Sequence, residues 1–374
     1  MKQQLETKPY PQGNSTMYAP NDDISLKELI KVLWDSKLMI ILITTVFAVG
    51  SVIFVFSAQE WWVSSAKISR AQPQDLTTYQ QQVNQFQPVF NLHQDDGTVL
   101  VSKELDNLFN SSSLYQRFID TFNSSNNKRN FLDENIEFQV IKDTLSSDMV
   151  NLQEDDGRLL YTKWFKKITA VSENNSGESS PYFLNFKAPT KESSFALLTS
   201  YISYTESKVH QDAFNNLQAV VNGKKNELVQ QKNIIENQAK NQLKVEIERA
   251  NYAMGIAKAA GVEQPIQAGD DNELFSIKLG SKGLEAKIVA LESIKNLSVI
   301  EPRLQQISAK LNMLKNLEID REVEFQTFRF FKNVEQPVTR DQPKRALIVI
   351  LSALSGGILA LVIVLIRFAF RKEG

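Results

Sequence analysis

Cysteine, histidine and paired carboxylates supply most enzyme nucleophiles, bases and metal ligands, and this chain is poor in the first two. It holds no cysteine and only two histidines, His93 and His210. A cysteine nucleophile is impossible, and neither histidine has a second ligand-type residue at metal spacing, so both read as surface or packing residues. No phosphate cradle is present either. Gly223-Lys224-Lys225 lies within a run of helix formers where no loop is available, and Gly280-Ser281-Lys282-Gly283 lacks the GxxxxGK[ST] spacing. The acidic run Glu154-Asp155-Asp156 reads as a solvated turn, because a glycosidase pair requires two carboxylates held across a substrate and scattered acids do not define one. The expectation is a protein that is not an enzyme and carries no cofactor and no metal.

The unusual chemistry lies elsewhere, in the stretch from Gln336 to Arg345, which contains Pro337, Pro343 and Lys344 and runs into the uncharged segment Ala346 to Ile366. A helix over that segment would span roughly 30 Å, about one hydrocarbon core. Ser352, Gly356 and Ala360 fall on one face of it with Gly357 beside them, a small-xxx-small stripe. That stripe suits self-association, and it also matches the glycine-rich composition of membrane helices in general. The prolines either stiffen the approach to the membrane, since each fixes φ and restricts its predecessor, or form a docking surface. Pro337, Pro343, Lys344, Ser352, Gly356, Gly357 and Ala360 are the candidate contacts to further copies or to a partner enzyme.

A second uncharged run, Leu38 to Ala58, lies near the other end of the 374-residue chain. A cleaved signal peptide is the rival reading, but 37 residues precede the run and it exceeds the usual length of a signal core. Two spans put both ends of the chain on one side of a membrane and Gln59 to Arg345 on the other. Lysine and arginine near the spans are almost evenly divided, so orientation rests on the tendency of long loops to translocate regardless of charge; the middle domain is expected outside the cytoplasm. The absence of cysteine suits an oxidising compartment without disulfides. A formal charge of −1 excludes a generally basic surface, and no nucleic-acid partner is expected.

Along the chain, Met1 to Pro20 reads as a disordered tail and Asn21 to Trp34 as an amphipathic helix started by Asp22 or Asp23. Trp34, Lys37, Trp61 and Trp62 bracket the first span. Strands are expected at Val63–Arg70, Ile136–Ile141, Trp164–Val171, Tyr182–Lys187 and Val323–Phe330; the third and fourth are joined through the loop Glu173–Pro181, and a turn lies at Asp95. Helical spacing covers Asp75–Phe86 and Ser102–Phe122. From Thr190 to Ala260 there is no proline, and a continuous helix there would reach roughly 100 Å. Its apolar stripe, Leu217, Val221, Leu228, Ile235, Ala239, Leu243, Ile247, Ala250, Met254 and Ala257, is thin and needs a partner helix or further copies to cover it, which speaks for an oligomer. Gly261 to Pro265 ends this helix, the stretch to Asn272 forms a turning tip, and helices return over Ser281–Leu297 and Glu301–Asn316. The strands at Val63–Arg70 and Val323–Phe330 each adjoin a span and are placed side by side.

In this order the chain resembles the O-antigen chain length determinant family, the class 1 polysaccharide co-polymerases of the Gram-negative inner membrane. The residues that carry the likeness are Leu29-Ile30, Leu33-Trp34 and Lys37; Ser65-Ala66-Lys67-Ile68; Phe186-Lys-Ala-Pro-Thr190; Phe275-Ser-Ile-Lys-Leu-Gly280; and Pro343-Lys344-Arg345 with Gly356-Gly357. The family's end pattern P-x-x-P-x-x-P-K is broken by Arg340 in place of the middle proline. Related co-polymerases that act with tyrosine kinases place a nucleotide-binding domain after the second span, and the eight residues Arg367 to Gly374 leave no room for one.

The resemblance implies an α+β fold. Two transmembrane helices (38–58 and 346–366) flank a periplasmic domain (59–345) made of a membrane-proximal mixed-sheet base (59–189 and 275–335) and a very long extended helix (190–260). Cytoplasmic segments (1–37 and 367–374) complete the chain, and several copies form a ring. It implies a regulator of lipopolysaccharide O-antigen chain length in the inner membrane, with the homo-oligomer, the O-antigen polymerase, the undecaprenyl-diphosphate-linked glycan and membrane lipid as partners. The alternative is a periplasmic adaptor or scaffold subunit of an envelope transport complex.

Overall fold

The computed structural model describes residues 26–94, 96–146, 154–173, 180–267 and 274–372. The expected tail Met1 to Pro20, the caps Asp22 and Asp23, the turn residue Asp95 and most of the Glu173–Pro181 loop lie outside these residues. So do the end of the turning tip and Glu273. The chain divides into two compact units, Met1–Trp61 with Thr339–Gly374, and Trp62–Val338.

In chain order the elements are α1 (Leu26–Asp35), α2 (Lys37–Ser57), β1 (Trp62–Arg70), α3 (Thr77–Asn84), α4 (Gln87–Phe90), β2 (Leu92–His93), β3 (Val99–Leu100), α5 (Ser111–Asn123) and α6 (Ser125–Glu134). There follow α7 (Ile136–Ser146), α8 (Glu154–Phe165), β4 (Ile168–Ser172), β5 (Tyr182–Ala188), α9 (Lys191–Ala259), α10 (Gly280–Glu292), α11 (Arg303–Asn316), β6 (Phe328–Glu335) and α12 (Arg345–Lys372).

The first unit is α1, α2 and α12. α2 and α12, the latter over Arg345–Phe370, are long and apolar enough to cross a membrane. Away from their mutual seam they expose large aliphatic side chains such as Ile41, Leu42, Ile53, Leu354 and Ile358. Lipid tails cover such a surface at no cost, whereas water does not.

In the second unit four strands form one sheet in the order β4-β5-β1-β6. β1 pairs with β6 through Ile68↔Phe330 and Arg70↔Phe328, so the two strands expected side by side are neighbours. The sheet is antiparallel throughout rather than mixed. The reason is the connectivity: β4 and β5 are consecutive and joined by a short connection, while β1 opens the unit and β6 closes it, so bringing its two ends together sets them antiparallel. Alternate residues Ser64, Ala66 and Ile68 on β1 and Leu184, Phe186 and Ala188 on β5 are buried. The start of α9 and α5 pack on these strands, through Leu197, Leu198 and Tyr201 on the former and Leu114, Tyr115 and Phe118 on the latter. Each such large apolar side chain contributes roughly 1.5–3 kcal/mol when fully buried. Buried hydroxyls in this layer find partners: the Ser64 and Ser194 hydroxyls bond at 2.9 Å, and the Tyr201 hydroxyl donates to Phe122 O at 2.7 Å.

α9 is one continuous helix of 69 residues, about 100 Å long. The Thr190 hydroxyl caps its start by accepting the Ser193 N–H at 3.0 Å. It ends where Gly261 takes φ +73°, with Gly261 N–H donating to Lys258 O and Val262 N–H to Ala257 O. The partner for its stripe comes from its own chain. Leu217, Val221 and Leu228 are buried in a core with Tyr79, Phe90, Leu314 and Phe325, and Ala253 and Ala257 in another with Leu284. α10 and α11 fold back along α9, so the stripe does not by itself require further copies.

Five sequence expectations fail locally. Ile136–Ile141 is the start of helix α7, not a strand. Asn135 Oδ1 accepts the Phe138 N–H at 3.0 Å, starting a helical turn, and of the alternating apolar residues only Phe138 is buried while Ile136 and Val140 are exposed. Trp164 and Phe165 close α8, and the expected strand begins at Ile168; Trp164 is needed in the helix to meet Phe138 edge-on at 4.9 Å. Glu154 opens α8, so the acidic run lies in a helix rather than a turn. The last strand starts at Phe328, because Phe325 leaves the sheet line to stack on Tyr79 at 4.4 Å. The Ser102–Phe122 helix is confined to α5 after Asn110, whose side chain accepts the Ser113 N–H.

Candidate functional site

The approach to α12 is held by a short strap. Trp61 N–H donates to Gln342 O at 3.0 Å and Asp341 N–H returns to Trp61 O at 2.9 Å, an isolated antiparallel bridge. Beside it, Glu60 Oε1 accepts from Arg340 Nη1 and from Arg345 Nη2, each at 2.7 Å. The Arg345 guanidinium also lies 4.6 Å over the Phe56 ring, and its Nε is buried without a hydrogen-bond partner among the described residues. One carboxylate thus faces two permanent cations. Pro343 is half-buried, with a cis bond to Gln342, and Lys344 is exposed while its carbonyl accepts the Ile348 N–H to begin α12. Pro337 belongs to the other unit, in the segment after β6.

The small residues of α12 face α2. Gly356 and Ala360 are buried, with Val364 one turn further on. A Cβ on Gly356 would fall 2.8 Å from Phe47 Cβ, so only glycine admits the phenylalanine there. Gly357 sits to the side, where a Cβ would meet Thr44 Oγ1 at an ordinary 3.9 Å. Ser352 borders a cavity of about 510 Å³ between the helices, shared with Phe47, Gly50 and Ser51. Ser352, Gly356 and Ala360 therefore lie along one seam, with Gly357 beside it and Pro343 and Lys344 before the first turn of α12. Sequence reasoning missed Phe47, which Gly356 meets, and Glu60 and Phe56, which hold the neighbouring Arg345. The available signal for Glu60 was an acid at the first span's end, where Arg340 and Arg345 flank the second.

In the second unit a cleft of about 640 Å³ opens beside α9. Glu206 and Glu324 face it, and burial together with the neighbouring Glu324 charge raises the Glu206 carboxyl above its ordinary range. His210 stacks on Phe325 at 4.2 Å between centroids; burial lowers its pKa, and its Nε2 has no hydrogen-bond partner among the described residues. These are packing and polar contacts rather than a nucleophile with a base. Among the described residues no group of three or more histidine, aspartate or glutamate side chains could hold a metal ion.

Comparison with known proteins gives a consistent result. The family model described as Wzz, chain length determinant protein, matches residues 22–134. The Escherichia coli K12 protein named ferric enterobactin transport protein FepE is 28% identical over 367 residues, covering 94% of this chain and 91% of its own. A Shigella dysenteriae chain length determinant protein is 25% identical over 96% of this chain and 98% of its own, and a Salmonella typhimurium ECA polysaccharide chain length modulation protein is 24% identical. The solved structure of a full-length bacterial polysaccharide co-polymerase shares the fold with a TM-score of 0.59 at 22% identity, covering 93% of this chain and 99% of that one.

Proposed function

We propose that the chain is a member of the chain length determinant family, which it resembles in sequence and fold, and that it regulates the modal length of lipopolysaccharide O-antigen. It does so without catalysing a reaction, alongside the polymerase that extends the undecaprenyl-diphosphate-linked glycan. Copies assemble into a ring in the inner membrane, the Trp62–Val338 unit stands in the periplasm, and both chain ends lie in the cytoplasm. One observation carries the reading: relatives named for chain length align over nearly their whole length, spans included, rather than over a shared fragment. The seam of Ser352, Gly356, Gly357 and Ala360 then holds α12 against α2, and the strap with Pro343 and Lys344 presents the head of α12 to the polymerase, with Pro337 just before it.

The test is a deletion strain complemented with the full chain. Lipopolysaccharide on a gel should lose its modal band on deletion and regain it on complementation. Unchanged banding sinks the proposal. The name of the 28% relative points instead to siderophore transport, so ferric siderophore uptake is measured in the same strains; a defect in uptake with normal banding would favour the transport reading.

A further inference from the structure

At the end of the first unit opposite the strap, α1, α2 and α12 line an open cavity of about 640 Å³. Its walls are Val32, Leu38, Met39, Val364 and Phe368, and its polar rim is Asp35, Ser36 and Arg367. Arg367 is exposed and ends the uncharged run of α12; its Nη1 lies 4.0 Å from Met39 Sδ, and among the described residues it has no carboxylate partner. Asp35 is likewise exposed and has no ion pair or hydrogen bond among them. Asp35 is also the last residue of α1, where the helix dipole adds negative potential and favours a cation. The other cation near this rim, Lys37, lies 5.4 Å over the Trp34 ring, and Lys31 is exposed.

A cation and a carboxylate, each without an ion-pair partner among the described residues, therefore share one rim without closing on each other, above an apolar hollow at the depth where headgroups meet acyl chains. A purely anionic ligand would meet repulsion from Asp35, and a purely cationic one from Arg367. We propose that this cavity seats a phospholipid with an ethanolamine headgroup, its phosphate on Arg367, its ammonium on Asp35, and one acyl chain along Met39, Val364 and Phe368. The ammonium donates hydrogen bonds to the carboxylate, which a quaternary choline cannot do, and the phosphate accepts from the guanidinium fork. This inference rests on α2 and α12 crossing a membrane and not on chain length regulation.

The experiment uses the full chain, purified in detergent and exchanged into nanodiscs of phosphatidylethanolamine, phosphatidylglycerol or phosphatidylcholine, with retained lipid counted by native mass spectrometry. The wild type should retain phosphatidylethanolamine over the other two by about tenfold, as two charge-assisted contacts imply. Arg367→Gln should lose that retention, and Asp35→Asn should bring phosphatidylethanolamine down to the level of phosphatidylglycerol. Both positions are exposed, so the variants should keep the wild-type melting temperature. Met39→Trp, which fills the hollow and keeps both charges, should also exclude the lipid. Equal retention of all three lipids, a preference for phosphatidylglycerol, or retention unmoved by Arg367→Gln and Asp35→Asn would overturn the assignment.

Discussion

Glu60 Oε1 and Arg340 Nη1 lie 2.7 Å apart across 280 residues of chain, and the same oxygen holds Arg345. Arg340 stands where the family pattern has its middle proline, and its side chain ties the approach of α12 to the end of α2 where a proline could only stiffen it. Arg340→Pro should be mild. Its N–H has no backbone acceptor among the described residues, and a half-exposed ion pair is worth about 0.2–1 kcal/mol. Glu60→Ala should cost more, about 1–3 kcal/mol, because two guanidiniums are left facing each other and one is half-buried. Thermal melts of the detergent-solubilised chain check the order; equal losses for the two variants would show that Arg340 alone carries the contact.

Adjacent glycines on α12 should respond differently to the same substitution. Gly356→Ala places a methyl 2.8 Å from Phe47 Cβ and forces the two helices apart, an overpacking cost of about 1–3 kcal/mol. Gly357→Ala meets only ordinary contact and should be close to neutral or slightly stabilising through helix propensity. Phe47→Ala should rescue Gly356→Ala. Melting temperature and lipopolysaccharide banding measured on the four variants separate the seam from generic membrane composition, and a Gly356→Ala protein that melts with the wild type would refute the close approach.

Much of this architecture is legible from local rules. α9 follows from a long run of helix formers bounded by Thr190 and Gly261, and both ends behave as those residue types dictate. The two apolar helices follow from charge-free length, and the β1–β6 pair from each strand adjoining one of them. The failures are where short patterns serve two structures. Ile136-Glu-Phe-Gln-Val alternates like a strand, yet burial of Phe138 alone, against Trp164, is a helical demand. What covers the α9 stripe was hidden as well, because the direction of the return past Gly280 is a three-dimensional fact. The candidate residues Gly356 and Pro343 were visible as types, but Phe47 and Glu60, their surroundings, are more than 280 residues away and no periodicity connects them.

Gly280 is required by the turn that starts this return. It has φ +67°, and a Cβ there would lie 2.6 Å from the Glu263 carbonyl oxygen. Its own N–H donates to Ile277 O while Ser281 N–H donates to Val262 O, so the loops on both sides are pinned to it. Gly280→Ala should therefore loosen the tip by about 1–3 kcal/mol. The expected readout is faster hydrogen exchange in Ala253–Ala257 and Leu284, the small core at that end, with the sheet unchanged. Gly255→Ala, in α9 beside the same small core, adds a Cβ that meets nothing within 4 Å and is the matched control; equal exchange in the two variants would remove the steric argument.

Lys167 supplies a pH-dependent test of the sheet end of the molecule. Burial first, then the Lys187 and Lys163 charges, bring its ammonium down from 10.5 to about 7. It lies 4.6 Å over the Trp164 ring, at the turn between α8 and β4. The unfolded chain keeps the Lys167 proton up to the ordinary lysine range, while the folded one releases it near 7. Between those values the unfolded state binds more protons, so this residue makes stability rise with pH from about 7 to about 10.5. Below that window both states are protonated and the penalty is constant. Lys167→Met removes the penalty and keeps the stem packed on Trp164. The variant should be more stable than the wild type at pH 7, by on the order of 1 kcal/mol once solvent screening of a partly exposed group is allowed for. The advantage should shrink as pH approaches 10. Melting temperatures of both proteins across this range decide the matter, and parallel curves would show that Lys167 does not titrate in the window.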